Sequence, residues 1–216
     1  MEYIAFIFDL DGVIVSTDEY HYLAWKTIAD QEGIKFDRKT NNMLRGVSRM
    51  ASLDIILKEA EKKYSDEKKQ QLADNKNKIY RQYLQNLNPK DMLPHVMEVL
   101  KYLRNAGYLL AVGSSSRNTR TILLRLGLGD YFDAVADGTE IKKSKPDPEV
   151  FLKAAEKLGV NPERCVVVED ATAGIEAAKR GNMLAIAIND AKNSPIADIR
   201  IDSMAEIIGL FPAINR

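Results

Sequence analysis

Short, continuously apolar, β-prone runs recur along the chain, and they limit what it can fold into. They are Tyr3-Ile-Ala-Phe-Ile-Phe8, Leu109–Val112, Cys165–Val168 and Ala185–Ile188, with a weaker one near Asp133–Ala136. A run without polar alternation suits a parallel strand covered on both faces. Helical patterns lie between the runs. Pro94–Ala106 opens on proline and stops before Gly107. Asp147-Pro148 offers an N-cap and an N1 proline to a helix ending near Gly159, and Ala173–Arg180 ends at Gly181. Alternating strand and helix predicts a doubly wound α/β fold with a parallel sheet.

One stretch breaks the alternation. Between Thr17 and Leu87 the pattern is helix after helix: Asp18–Glu32, Lys39–Leu44, Ser52–Lys63 and Asp66–Leu87. An all-helical block between the first and second strands predicts an inserted small helical domain, closed by Asn88-Pro89. The expected division is 1–14 and 91–216 for the α/β core and 15–90 for the insert.

Charge follows the same division. The chain carries 31 basic and 31 acidic residues. Val15–Lys90 holds 15 basic and 11 acidic residues, a net of +4, which leaves −4 elsewhere. A zero total lacks the basic excess of a nucleic-acid binder or of a strongly basic membrane-surface protein. The single cysteine, Cys165, excludes an internal disulfide and fits a reducing compartment. Its valine neighbours make it a buried strand residue. The run Tyr3–Phe8 is too short to span a bilayer and lacks a basic flank. The expectation is a cytoplasmic monomer without nucleic-acid or membrane partners.

The chemistry gathers at strand ends, where ligands collect in parallel α/β sheets. The first strand runs into Asp9-Leu10-Asp11-Gly12. Residues i and i+2 of a strand point the same way, so two carboxylates crowd together, a natural place for a hard divalent cation such as Mg²⁺. The same residues also make an Asx-rich turn. Leu109–Val112 runs into Gly113-Ser114-Ser115-Ser116-Arg117-Asn118, either an oxyanion cradle or ordinary helix caps. Cys165–Val168 runs into Glu169-Asp170, a second acidic pair or a helix N-terminal preference. Lys145 precedes the rigid turn Pro146-Asp147-Pro148 and by itself reads as a surface lysine. Together the four features describe Mg²⁺-assisted phosphoryl transfer. Carboxylates hold metal, one carboxylate attacks phosphorus, and Ser and Lys neutralise the phosphoryl oxygens. No Walker-type loop or Gly-x-Gly-x-x-Gly motif argues for a nucleotide.

These motifs resemble the four motifs of the haloacid dehalogenase superfamily. Asp9-Leu10-Asp11-Gly12-Val13 matches the first, Ser114 the second, Lys145 the third and Glu169-Asp170 the fourth, and the insert is similar to that superfamily's small helical cap. The resemblance implies a Rossmann-like core. Within the superfamily the insert is similar to the cap of its sugar-phosphate mutases. Thr17-Asp18-Glu19-Tyr20-His21, Ala24-Trp25-Lys26, Gly46-Val47-Ser48-Arg49 and Lys76-Asn77 carry that likeness, with Ser114-Ser115-Ser116-Arg117-Asn118 from the core. Two departures are Arg117, where lysine is common, and Met50-Ala51, where acidic residues are often seen.

The resemblance implies an isomerase that interconverts β-glucose 1-phosphate and glucose 6-phosphate. It would act through an aspartyl-phosphate and a β-glucose 1,6-bisphosphate intermediate, which also primes the enzyme. Asp9 would be the nucleophile and Asp11 the general acid and base. Mg²⁺ would be held by Asp9, the Asp11 backbone carbonyl, Glu169 and Asp170. Ser114 and Lys145 would bind the transferring phosphoryl group. Thr17 and His21 would join the catalytic set. Arg49 would hold the distal phosphate with Gly46, Val47 and Ser48, completed by Ser116, Arg117 and Asn118. Ser52, Ser115 and Lys76 would also face substrate, although Lys76 lies on a helix rich in lysine. Trp25 reads equally as substrate wall or as cap core. His95, Lys58–Lys63 and Asp66–Lys69 read as solvated surface. The alternative is a Mg²⁺-dependent sugar-phosphate phosphatase on the same core. An inactive binding protein is disfavoured by the complete catalytic set.

Overall fold

The computed structural model describes residues 2–44, 47–60 and 62–214. They divide into two compact units, one of residues 1–16 and 88–216 and the other of residues 17–87.

The first unit carries a parallel sheet. Its strands among the described residues are β1 (Ala5–Phe8), β2 (Leu109–Gly113), β3 (Ala134–Ala136), β4 (Cys165–Glu169), β5 (Leu184–Ala187) and β6 (Ile199–Arg200). Their order is β3-β2-β1-β4-β5-β6, with every pairing parallel. The continuous apolar runs are explained by burial on both faces. Ala5 and Ile7 of β1 join a core cluster with Phe151, Val167 and Ile175. Phe6, pointing the other way, meets the Tyr108 and Phe211 rings edge-on at centroid distances of 5.1 and 5.0 Å. The two-residue β6, with exposed Arg200, has no apolar run and gives no such signal.

The helices alternate with these strands. This unit's α-helices are α5 (Val96–Asn105), α6 (Thr119–Arg125), α7 (Glu149–Leu158), α8 (Thr172–Arg180) and α9 (Glu206–Leu210). Pro94 lies outside α5. His95, at φ 64°, stands in the left-handed region just before the helix and so delays its start to Val96. At α7, Asp147 Oδ1 accepts from Glu149 N at 3.1 Å, and Gly159 ends the helix at φ 67°.

The second unit is α-helical among its described residues: α1 (Asp18–Gln31), α2 (Arg38–Asn42), α3 (Arg49–Leu57) and α4 (Asp66–Leu84). α3 starts three residues ahead of the predicted Ser52, because the Ser48 hydroxyl accepts from Ala51 N at 3.4 Å and caps the helix there. Its core joins Trp25, Ile28, Phe36, Leu53, Ile56 and Leu72. Among the described residues no helix is long and apolar enough to cross a membrane.

Candidate active site

The sheet register builds the first cluster. The chain winds outward from β1 through β2 to β3, then crosses back to β4, so the reversal falls between β1 and β4. Ligands of open α/β sheets bind at this switch point, beyond the carboxyl ends of the strands. Phe8 pairs with Val168 on one side and with Val112 on the other. Asp9 therefore lies level with Glu169 and with the start of the Gly113–Asn118 loop, and its N–H donates to Val168 O at 3.0 Å.

Lys145 closes the cluster. Its Nζ donates to Asp9 Oδ1 at 2.5 Å and to Glu169 Oε2 at 2.7 Å, and all three side chains are buried. The surface reading of Lys145 is thus displaced. The ammonium also lies 4.6 Å from the Phe151 ring centroid. Burial alone drives a lysine pKa down. Here the charges and hydrogen bonds of Asp9 and Glu169 outweigh burial, so the group stays protonated.

The carboxylates feel the opposite pressure. Asp9, Glu169 and Asp170 bring oxygens within 4.8 Å of one another. Burial and the charge of Asp9 raise Glu169, opposed by Lys145 and by the Ala171 amide. Burial, then the charges of Glu169, Asp9 and Asp11, push Asp170 up to about 9. Such a trio calls for a proton or a cation. Three hard oxygen donors, one of them protonated at neutral pH without a metal, fit Mg²⁺. The Asp11 carboxylate lies outside the trio. Its backbone pairs with Val15 in a turn where Gly12 N donates to Val15 O at 2.7 Å.

Two glycines make room for these groups, a role the sequence motifs did not reveal. A Cβ on Gly12, which has φ 85°, would fall 2.0 Å from Asp170 Oδ2. A Cβ on Gly174 would fall 2.0 Å from Glu169 Cδ and Oε2. At Gly12 the requirement arises from the approach of a distant segment, whereas Gly174 answers to Glu169 at the end of the strand just before its own helix.

The Gly113–Asn118 loop stands beside Asp9. Ser114 is buried, its N–H donates to Ala136 O at 3.1 Å, and its hydroxyl accepts from Ser116 N at 3.2 Å. Ser116 Oγ accepts from Asn118 N at 3.2 Å. Ser115 Oγ is buried without a hydrogen-bond partner, while Arg117 is exposed.

A second cluster forms within the helical unit. Lys76 is 2% exposed, so it is not one of the solvated lysines of α4. Its Nζ lies 2.6 Å from His21 Nδ1, and 5.0 and 4.6 Å from the Trp25 and Tyr80 ring centroids. With the ammonium donating, His21 Nδ1 accepts and the ring proton sits on Nε2. Burial, then the positive charges of Lys76 and Arg49, hold His21 well below the usual histidine range, so it is neutral at pH 7. The His21 and Tyr80 rings are 4.1 Å apart, and Tyr80 Oη lies 2.9 Å from Thr17 Oγ1. Trp25 packs in the helical core. Ser52 is buried, its hydroxyl donating to Val47 O at 3.5 Å. Val47 is exposed, Ser48 and Arg49 are half-buried, and Gly46 lies outside the described residues. His95 is exposed and pairs with Glu98 at 2.9 Å. Cys165 is buried, and desolvation pushes its thiol up to about 11.

A parallel sheet with four motifs converging on its switch point defines a class of protein. The profile of the haloacid dehalogenase-like hydrolases matches residues 3–182, and the chain belongs to that family. Its likenesses are more particular than that. The chain is 44% identical over 205 residues to a β-phosphoglucomutase of Bacillus subtilis (strain 168), covering 94% of this chain and 91% of that protein. The crystal structure of β-phosphoglucomutase from Clostridium difficile matches with a TM-score of 0.89 at 40% identity, over 95% of this chain and 93% of that one. A fructose-1-phosphate phosphatase of Escherichia coli (strain K12) is 35% identical over 186 residues, covering 85% of this chain and 95% of that protein.

Proposed function

We propose that this protein is a Mg²⁺-dependent β-phosphoglucomutase of the cytoplasm, interconverting β-glucose 1-phosphate and glucose 6-phosphate. The likeness to two β-phosphoglucomutases at 44% and 40% identity favours the mutase over the phosphatase at 35%. The observation that carries the chemistry is the buried ammonium of Lys145 bridging Asp9 and Glu169.

In this reading an Asp9 carboxylate oxygen attacks phosphorus of β-glucose 1,6-bisphosphate. A phosphorus–oxygen bond forms to Asp9 as the bond to the sugar oxygen breaks, and Asp11 gives that oxygen its proton. The reverse step, with Asp11 taking the proton, then moves the phosphoryl group from Asp9 to the free 6-hydroxyl of β-glucose 1-phosphate. The bisphosphate so formed turns round, and the first step repeated at its 1-phosphate releases glucose 6-phosphate and restores the phosphorylated Asp9. Lys145 orients Asp9 through the hydrogen bond to its Oδ1. It also places a fixed positive charge, with the Ser114 hydroxyl, where charge develops on the phosphoryl oxygens. Mg²⁺, held by Asp9, the Asp11 carbonyl, Glu169 and Asp170, would supply further charge neutralisation.

Moving phosphate between the two ends of one sugar needs a second phosphate site. The reading assigns it to Arg49 with Gly46, Val47 and Ser48, and to Ser116, Arg117 and Asn118. Its support is the Gly46-Val47-Ser48-Arg49 sequence context, an arginine preceded by residues that offer backbone amides. Lys76, Ser52, Ser115, Thr17 and His21 are assigned to substrate, and Trp25 to holding Lys76. Purified protein with Mg²⁺, β-glucose 1-phosphate and a trace of the bisphosphate should yield glucose 6-phosphate, and Asp9→Asn should yield none. Isomer formation surviving Asp9→Asn would remove the aspartyl-phosphate from the scheme.

A further inference from the structure

The turn after β5 touches the second acidic pair and the residue that follows the first. Ile188 N donates to Glu169 O at 3.0 Å, and Ala191 N donates to Asp170 O at 2.8 Å. These bonds fix the backbone beneath the second pair. Between them, Asn189 takes a φ of 52°. Its side-chain Nδ2 donates to Gly12 O at 2.9 Å, joining residues 177 apart in sequence. Gly12 is the residue whose backbone lies against the Asp170 carboxylate, with room there for a hydrogen and not for a methyl group. The Asn189 amide therefore holds the peptide that follows the first acidic pair, while its own backbone neighbours hold the second pair.

The conformation of Asn189 serves that contact. The left-handed region is disfavoured for most side chains, and asparagine is among the few that enter it readily. Glycine would satisfy the backbone equally well. A side chain at this position is thus not needed for the turn, and the asparagine amide adds a bond that glycine would lack.

We propose that Asn189 is a positioning residue that ties the Asp9–Gly12 turn to the Glu169–Asp170 segment and so sets the spacing of the metal-binding carboxylates. The inference rests on the assignment of those carboxylates to Mg²⁺. A small hard ion demands near-ideal octahedral geometry, so a looser first turn weakens binding rather than abolishing it. Asn189 itself need not touch metal or sugar.

The test is Asn189→Gly, with Mn²⁺ as the probe ion titrated into metal-free protein and free ion counted by electron paramagnetic resonance. Losing one hydrogen bond should weaken Mn²⁺ binding about two- to tenfold. The melting temperature should fall by only a few degrees, because glycine accepts the positive φ but loses one hydrogen bond and adds freedom to the unfolded chain. Weakened binding by a variant that remains folded at the assay temperature supports the proposal whether or not the enzyme makes isomer, which separates it from the mutase reading. Weakened binding only together with loss of the folded state would make Asn189 a stability residue and overturn it. Unchanged Mn²⁺ affinity, with or without a fall in melting temperature, would make Asn189 a turn residue only and overturn it. Failure of the unmodified protein to bind Mn²⁺ would overturn it together with the metal assignment.

Discussion

Gly174→Ala is the sharpest perturbation of the metal-side carboxylates. Gly174 lies in the first turn of α8, and its added Cβ would sit 2.0 Å from both Cδ and Oε2 of Glu169. Carbon and oxygen need about 3.5 Å, so helix and carboxylate must part by about 1.5 Å. The carboxylate has little freedom to yield. Oε2 is held by Lys145 at 2.7 Å, and Oε1 accepts from the Asp170 and Ala171 amides at 3.1 and 3.0 Å. Two opposing effects set the stability change. Alanine is the better helix former by about 0.8–1 kcal/mol. Overpacking a filled site costs about 1–3 kcal/mol. The net is about 0–2 kcal/mol of destabilisation, which leaves the protein folded. Function has no such compensation, because a displacement of this size in a catalytic arrangement costs about 10²-fold. Thermal melting, Mn²⁺ binding and isomerisation kcat/KM together read these effects. A folded Gly174→Ala protein with unchanged metal affinity and turnover would refute the claim that Glu169 must stand where it does.

His21 is buried and neutral, whereas the unfolded chain takes up its proton near pH 6.5. The unfolded state then binds more protons, so stability should fall as pH drops below 6.5, by up to about 1.4 kcal/mol per unit. Denaturant titration between pH 7 and pH 5 reads the slope, and His21→Gln should flatten it. Asp170 is protonated below about pH 9 without a cation. Mg²⁺ binding should therefore strengthen about tenfold per unit from pH 6 to pH 8, and calorimetry showing no proton release would contradict that. Arg49→Ala should cripple isomer formation while Asp9 is still phosphorylated by a small phosphate donor. Equal loss of both activities would move Arg49 out of the distal phosphate site.

Much of the sheet was legible because strands buried on both faces must be apolar throughout, as Tyr3–Phe8 and Cys165–Val168 are. β6 was not, since a two-residue edge strand with an exposed arginine needs no such run. Lys145, read by itself, looked like a surface lysine. Only the parallel register that sets Asp9 beside Glu169 gives it two buried partners. Lys76 is named through the family resemblance alone, because α4 is rich in lysine, yet a second signal exists. Leu72, Lys76, Tyr80 and Leu84 recur every four residues and form the buried stripe of that helix. A lysine in phase with three apolar residues is inward-facing, and Tyr80 follows from the same stripe. Gly12 and Asn189 answer to segments far away in sequence, and Gly174 to the side chain of Glu169 across the strand-to-helix turn, so periodicity shows none of these contacts.

The central claim is that the phosphoryl group taken up by Asp9 returns to a sugar and not to water. Phosphorus NMR of the protein with Mg²⁺, β-glucose 1-phosphate and a trace of β-glucose 1,6-bisphosphate follows both fates in one sample. The account predicts that glucose 6-phosphate accumulates to near equilibrium before appreciable inorganic phosphate appears. Release of inorganic phosphate matching loss of substrate, with no isomer formed, would contradict it and make the protein a phosphatase.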